Sequence, residues 1–367
     1  MRLKIGKIIL ALILLLCSGE IKAKEVDRID VLAHYCAWYQ IPWGEHPYTM
    51  PVRGFYNSWD PFVAAEQNEE KNKYGIGVDM ISWPGELEGH HQEYMLSGYF
   101  RAYNLYTRKF SFLYEIIPLL GKRDCYDFSD QDLAQKFLSD IDYLVDTLFS
   151  WYGDYCYKIN NKPVVFIWTG KFKNFEEVSR RAREKVYLVG PEFILFPPND
   201  SEKERIEGLK CFDAITQYGI DPVWLAQKYG DNLNIEAVKH YIRAVIQWDR
   251  ILKLYVPTTD LWLPVSFAYH DNRGDRDEYG RTRILTSSPE QAEMFAKTVR
   301  ALLNYTGRRK VFVVSYNEHF EGTGVEESIQ YGKLWLSLIQ KYFTGGFTDD
   351  VRTNGKKDPW NLYPVNK

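Results

Sequence analysis

The chain has 367 residues, of which 45% are hydrophobic and 16% aromatic, and a formal net charge of −3. That length suits one large domain or two ordinary ones, and a chain this apolar buries a core rather than staying disordered. The small net charge argues against a polyanion such as nucleic acid as partner, while 27 Tyr and 11 Trp fit either a ring-heavy core or a cleft whose rings stack on sugars.

At the start of the chain, Arg2, Lys4 and Lys7 precede the apolar run Ile8 to Leu16, and a polar stretch then ends in Ile21-Lys22-Ala23. This is the form of a secretory signal over residues 1–23, too short to span a bilayer. It implies a secreted or periplasmic protein whose remaining residues, 24–367, form one domain. Cys17 raises a lipoprotein anchor, but Leu16 stands where a small residue is needed, so lipidation is disfavoured. No later stretch has the length and apolarity of a membrane helix. Cys36, Cys125, Cys156 and Cys211 lack CxxC spacing, which argues against a zinc knuckle and leaves one or two disulfides open.

Further along, short apolar runs alternate with polar loops and helical stretches. The runs are Val31–Tyr35, Val78–Ser82, Phe110–Tyr114, Val164–Trp168, Val186–Val189, Ala214–Thr216, Leu263–Phe267 and Val311–Tyr316. Runs apolar on both faces suit parallel strands covered by helices. Between them, Leu133, Phe137, Ile141, Leu144 and Leu148 make one stripe at helical spacing, and Ser288 followed by Pro289 opens another helix. Eight such alternations give the α/β class and a single-domain (β/α)8 TIM barrel. An open doubly wound sheet is the alternative, though no GxGxxG turn accompanies it.

In a barrel the reactive groups follow the strands. The first strand delivers His34, Tyr35, Trp38 and Tyr39; the second Trp83 and Glu86, with His90 and His91 beyond; the third Tyr114 and Glu115; the fourth Trp168. The sixth gives Tyr218 and Asp221, the seventh Tyr269, His270, Asp271 and Arg273, and the eighth Asn317, Glu318, His319 and Glu321. Two carboxylates near one another split into a proton donor and a nucleophile or base, which is what glycosidic cleavage needs. Glu318 and Glu321 lie three apart directly after the last strand, and Gly322 permits a tight turn behind them. The same spacing also describes a solvated acidic loop. Adjacent His90 and His91 are poorly placed to share an ion, and no metal or other cofactor is expected.

The stretch "VSYNEHFEGTGVEES" is similar to the "NEWHEGTQIE" signature of glycoside hydrolase family 99, the endo-α-mannosidase-type enzymes, and of the related WbsX-like proteins of polysaccharide loci. "VLAHYCAWYQIPWG" resembles that family's "YYPWYGNP", and "GVDMISWPG" its "GIDGFVVSWWG". "FSFLYEI", "NNKPVVFIW" and "SFAYHDNRGDR" are similar to its third, fourth and seventh strands. The resemblance runs from about Val31 to Gln330. It implies a (β/α)8 barrel that cleaves an α-linked glycan with retention, the substrate's own 2-hydroxyl attacking the anomeric carbon to form a 1,2-anhydro sugar.

On that resemblance Glu318 is the base for the 2-hydroxyl, and Glu321 is the acid for the leaving oxygen, then the base for water. Tyr35, Tyr39, Trp83, Glu115, Tyr218, Tyr269, Asn317 and His319 are the expected sugar contacts. His319 stands where the family has Trp, and Phe320 where it has His, which leaves mannose specificity open; His319 either shifts the balance between the two acids or lines a different subsite. Asp271 and Arg273 are expected to pair structurally, and Glu326 and Glu327 to sit at the cap of the last helix. A polysaccharide-biosynthesis protein of the WbsX-like type and a non-catalytic glycan-binding barrel are the alternatives. Oligomeric state is open.

Overall fold

Each of the eight apolar runs becomes a strand, and each strand is followed by a helix. The computed structural model describes residues 29–43, 47–85, 91–115, 125–168, 171–191, 203–218, 233–270 and 284–344. The strands are β1 (Asp30–Tyr35), β2 (Val78–Trp83), β3 (Lys109–Glu115), β4 (Lys162–Trp168), β5 (Tyr187–Pro191), β6 (Ala214–Thr216), β7 (Asp260–Leu261 and Leu263–Val265) and β8 (Lys310–Val313). The helices are α1 (Pro61–Lys73), α2 (His91–Arg101), α3 (Gln131–Tyr143), α4 (Glu176–Lys185), α5 (Lys203–Leu209), α6 (Ile235–Tyr255), α7 (Pro289–Thr306) and α8 (Leu334–Phe343). The N-terminal leader, Cys17, Glu86, His90, Asp221, Asp271 and Arg273 lie outside the described residues.

Every neighbouring pair of strands from β1 to β6 is parallel, and β8 lies parallel beside β1. The ring closes at β7, which is broken at Trp262: its first piece pairs with β6 and its second with β8. Trp262 fills the barrel interior at the break while its backbone N–H donates to the Ile215 carbonyl at 3.0 Å. The expected barrel is therefore the architecture. Helix ends follow the sequence signals. Ser288 and Gln291 form the capping box of α7, with Pro289 at its first turn. In α3 the cap is Asp130, whose side chain accepts from the Asp132 and Leu133 N–H groups.

Strand alternation divides the side chains into two layers. Leu32, Met80, Leu113, Phe166 and Phe312 point into the barrel, whereas Ala33, Ile81, Phe112, Val165 and Val313 point out to the helices. The same parity sends Asp79 outward into the helix layer, where an isolated carboxylate would be costly. Lys71 of α1 (2.9 Å) and Arg108 before β3 (3.0 Å) pair with it, and Tyr99 of α2 donates to it at 2.6 Å. Burial pushes the Asp79 carboxyl up, but the two cations outweigh that and hold it below the usual carboxylate range. Cys36, Cys156 and Cys211 are buried free thiols, which leaves them out of the disulfides the composition allowed.

Asp79→Ala leaves two buried cations without their anion. Urea unfolding should show a loss of about 3–5 kcal/mol, the scale for breaking a buried ion pair.

Candidate active site

The end of β8 is tied to the end of β1 by Asn317. Its Oδ1 accepts the Cys36 backbone N–H at 2.7 Å, and its Nδ2 donates to the Cys36 carbonyl at 2.9 Å and to Tyr56 Oη at 3.1 Å. The following loop then folds back on itself. The Thr323 and Gly324 N–H groups donate to the Glu318 carbonyl, and the Val325 N–H donates to the Ser315 carbonyl. Gly322 makes this turn possible: its φ is +61°, and an added Cβ would lie 2.4 Å from the Tyr48 ring.

Glu318 is 6% exposed. Its Oε1 accepts from the Phe320 N–H at 3.0 Å, the Glu321 N–H at 3.4 Å and Tyr39 Oη at 3.5 Å; its Oε2 faces Cys36 Sγ at 3.5 Å. An array of donors around one carboxylate suits the ionised, acceptor-only form. Burial, with the charges of Glu318, Glu115 and Glu321 in support, pushes the Cys36 thiol well above its ordinary value, so it is a neutral donor and not a nucleophile. Glu321 is half-buried, and its carbonyl accepts the His270 N–H at 2.7 Å, which joins the eighth loop to the seventh. The Tyr48 ring stacks on His270 at 3.9 Å.

Glu115 reaches the same space from β3. Its carboxyl is pushed up by burial and by the charge of Glu321, against a hydrogen bond from Ser82. Tyr218, after β6, senses Glu321, Glu318 and Glu115 together. Its hydroxyl lies 2.9 Å from His34 Nδ1, and Trp168 meets its ring edge-on at 5.5 Å. Glu318, Glu321, Glu115 and Tyr218 therefore converge at the C-terminal mouth of the barrel. His34, which the sequence reading placed on the rim but not among the sugar contacts, lies among them with Cys36 and Ser82, which it did not place there. Parity was the available signal: His34 follows inward Leu32, Ser82 follows inward Met80, and Glu115 follows inward Leu113.

Other expected sugar contacts are placed elsewhere. Tyr35 and Trp83 have outward parity. Tyr35 donates to Gln67 at 2.7 Å, with Lys71 Nζ 4.4 Å from its ring centre, and Trp83 stacks on Tyr143; both are 1% exposed. Tyr39 is buried, and its hydroxyl bridges the Asn317 carbonyl, the His319 N–H and Glu318, so it holds the loop. Asn317 is fully engaged with Cys36 and Tyr56. Tyr269 is half-buried and packs toward the helix layer.

His319 is fully buried between Thr49 Oγ1 and Glu326 Oε2, each at 2.9 Å. Thr, His and Glu in a row resemble a nucleophilic triad, but Thr49 is 0% exposed and no substrate can reach it. Glu326, expected at a helix cap, is instead a buried hub. It accepts from Arg53 at 2.8 Å, Gln67 at 3.0 Å, Tyr56 at 3.0 Å and His319. Glu327 pairs with Lys333, the residue preceding α8.

A family model described as Glycosyltransferase WbsX matches residues 129–339. Among solved structures, the GH99 endo-alpha-mannosidase from Bacteroides thetaiotaomicron superposes with a TM-score of 0.60 at 18% identity, covering 85% of this chain and 96% of that one. Its complex with BIS-TRIS-propane gives 0.61 at 19% identity, over 85% and 95%. A glycoside hydrolase-like protein gives 0.62 at 16% identity, over 89% and 97%. At these identities the likeness is one of fold. No curated protein matches.

The Glu326 hub carries a pH signature. Burial raises its carboxyl, but His319, Arg53 and Gln67 outweigh burial and hold it below its ordinary 4.5. A carboxyl depressed in the folded state contributes stability above its unfolded value, and that contribution is lost as pH falls through the folded value. Glu326→Gln should lower stability at pH 7 by about 1.5–3 kcal/mol and flatten the decline below pH 4.5; thermal melts from pH 3 to 7 measure both.

Proposed function

The chain belongs to the family described as Glycosyltransferase WbsX, and from that premise we propose that it cleaves an α-linked glycan, mannan-like or related, with retention of configuration. The observation that carries this reading is the convergence of Glu318, Glu321 and Glu115 beside Tyr218 at one barrel mouth. Glu318, ringed by donors, takes the proton of the sugar 2-hydroxyl. The 2-oxygen then attacks the anomeric carbon while the glycosidic bond breaks, and Glu321 gives its proton to the leaving oxygen. Water next opens the 1,2-anhydro ring; Glu321 takes the water's proton and Glu318 returns its own to the 2-oxygen. Half-buried Glu321 can exchange protons with incoming water, as an acid–base group must. Glu115 and Tyr218 bind sugar hydroxyls. The basic-then-apolar leader makes export of the chain part of the same proposal, since it brings the mouth to extracellular polymers.

The family description supplies a second reading, in which an acceptor hydroxyl replaces water and the product is a new glycoside. The proton traffic is unchanged. A sugar-nucleotide donor is disfavoured by the mouth itself, because the charges that Tyr218 and Cys36 sense there are carboxylates, which repel a diphosphate.

Incubation with a panel of α-mannans and other α-glycans, with and without acceptor oligosaccharide, separates these readings by anomeric NMR. Hydrolysis gives new reducing ends of retained configuration. Glu318→Gln and Glu321→Gln should each lower turnover on the order of 10²–10⁴-fold with unchanged melting. A fully active double variant removes the assignment.

A further inference from the structure

His34 is 1% exposed and takes no part in the proton transfers above. Both of its ring nitrogens are engaged. Nδ1 faces the Tyr218 hydroxyl at 2.9 Å, and Nε2 faces Ser82 Oγ at 2.5 Å. Ser82, the neighbouring inward residue on β2, also bears on the Glu115 carboxyl and draws its raised value back down. Hydrogen bonds thus join Tyr218, His34 and Ser82, and Ser82 carries the run on toward Glu115, so that four strand ends meet across the mouth. Resting on the glycan-cleaving reading, we propose that His34 is a positioning residue that couples the protonation of Glu115 to the hydrogen-bonding sense in which Tyr218 meets the substrate.

The argument is one of proton count. Burial lowers His34 to about 3, so the ring is neutral above that pH and has one donor and one acceptor nitrogen. Ionised Glu115 only accepts, so the Ser82 hydroxyl donates to it. Ser82 Oγ then accepts from Nε2–H, and bare Nδ1 accepts from Tyr218 O–H. The phenol oxygen thus faces the cavity as an acceptor. When one proton enters at the Tyr218 oxygen, each member passes its own along. Tyr218 O–H breaks as Nδ1–H forms, Nε2–H breaks as a new Ser82 O–H forms, and the original Ser82 proton moves to Glu115. The ring is still neutral, with its proton now on Nδ1, and Tyr218 turns a new O–H toward the cavity as a donor. One proton has been added and none lost.

The groups facing this run are the carboxylates of Glu318 and Glu321, the Cys36 thiol at 3.9 Å from both ring nitrogens, and the Trp38 ring at 6.1 Å. With the thiol neutral, the carboxylates supply the charge. The rise of Glu115 through burial and Glu321 carries the transition above the ordinary carboxylate range.

Nitrogen NMR of the full chain with ¹⁵N-labelled histidine tests this, the His34 signals being assigned by their loss in His34→Gln. The expected result is a neutral His34 from pH 4 to 8, with one tautomer step from Nε2–H to Nδ1–H on acidification. That step should vanish in Glu115→Gln and in Ser82→Ala. A doubly protonated ring in this window, or a step that survives in Glu115→Gln, overturns the proposal. With a cleaved glycan in hand, Ser82→Ala should raise KM on the order of tenfold, the scale of one hydrogen bond, with kcat nearly unchanged; an unchanged KM with a collapsed kcat also overturns it. The tautomer measurement needs no turnover, so it stands or fails separately from the Glu318→Gln test of cleavage.

Discussion

The pairing of one amide with one backbone position governs the mouth. Asn317 occupies both the N–H and the C=O of Cys36, so the residues after β8 are locked in register with those after β1. Strand pairing alone stops short of this point, since the last pair between the two strands is Ala33 with Val313. Beyond it the chain leaves the sheet, and its backbone groups need other partners. Tyr39 continues the connection by bonding the Asn317 carbonyl and the His319 N–H. Glu318 lies between these two anchored positions. Its carboxylate is placed by contacts within the protein, the preorganisation that its proposed acid–base role requires.

Around that anchor the molecule treats its buried charges in two ways. Asp79 and Glu326 are matched by cations, Lys71 and Arg108 for the first and Arg53 for the second. At the mouth the carboxylates of Glu318 and Glu115 meet uncharged donors: backbone N–H groups, a thiol, a phenol and a serine hydroxyl. Neutral donors hold a carboxylate without cancelling its charge, so the protons there can still move. A neutral His34 completes this set, because a cationic ring among three carboxylates would form an ion pair and fix the charge.

The barrel was legible in the sequence because parallel strands covered on both faces leave continuous apolar runs, and even the three-residue run Ala214–Thr216 marked a real strand. The pair Glu318 and Glu321 was legible through its position after the last run. Which neighbours point inward was readable only by carrying strand parity to the end of each run. Tyr35 and Trp83 were chosen for their aromatic character, and parity turns both toward the helices. Parity would have chosen His34 and Ser82 instead. One partner of His319 lies far from it in sequence: Thr49 is 270 residues away, and no local pattern announces that contact.

His319 and Glu326 show why one short loop holds glutamates of unlike fate. Glu318 and Glu326 are eight residues apart, yet the loop doubles back between them, so that the Glu326 N–H bonds the Tyr316 carbonyl. That fold turns Glu326 behind the mouth, into reach of Arg53, Gln67 and Tyr56, and His319 bridges it to Thr49 on the first loop. A tryptophan at position 319 has one N–H donor and no ring acceptor, so it could not bond both partners. With histidine there, the loop carrying Glu318 and Glu321 is braced from behind by a polar clamp, and the bracing residue has no surface left for sugar. On the proposed cleavage, selectivity for the glycan falls to the half-buried wall, where Tyr218, Trp168 and Glu115 lie.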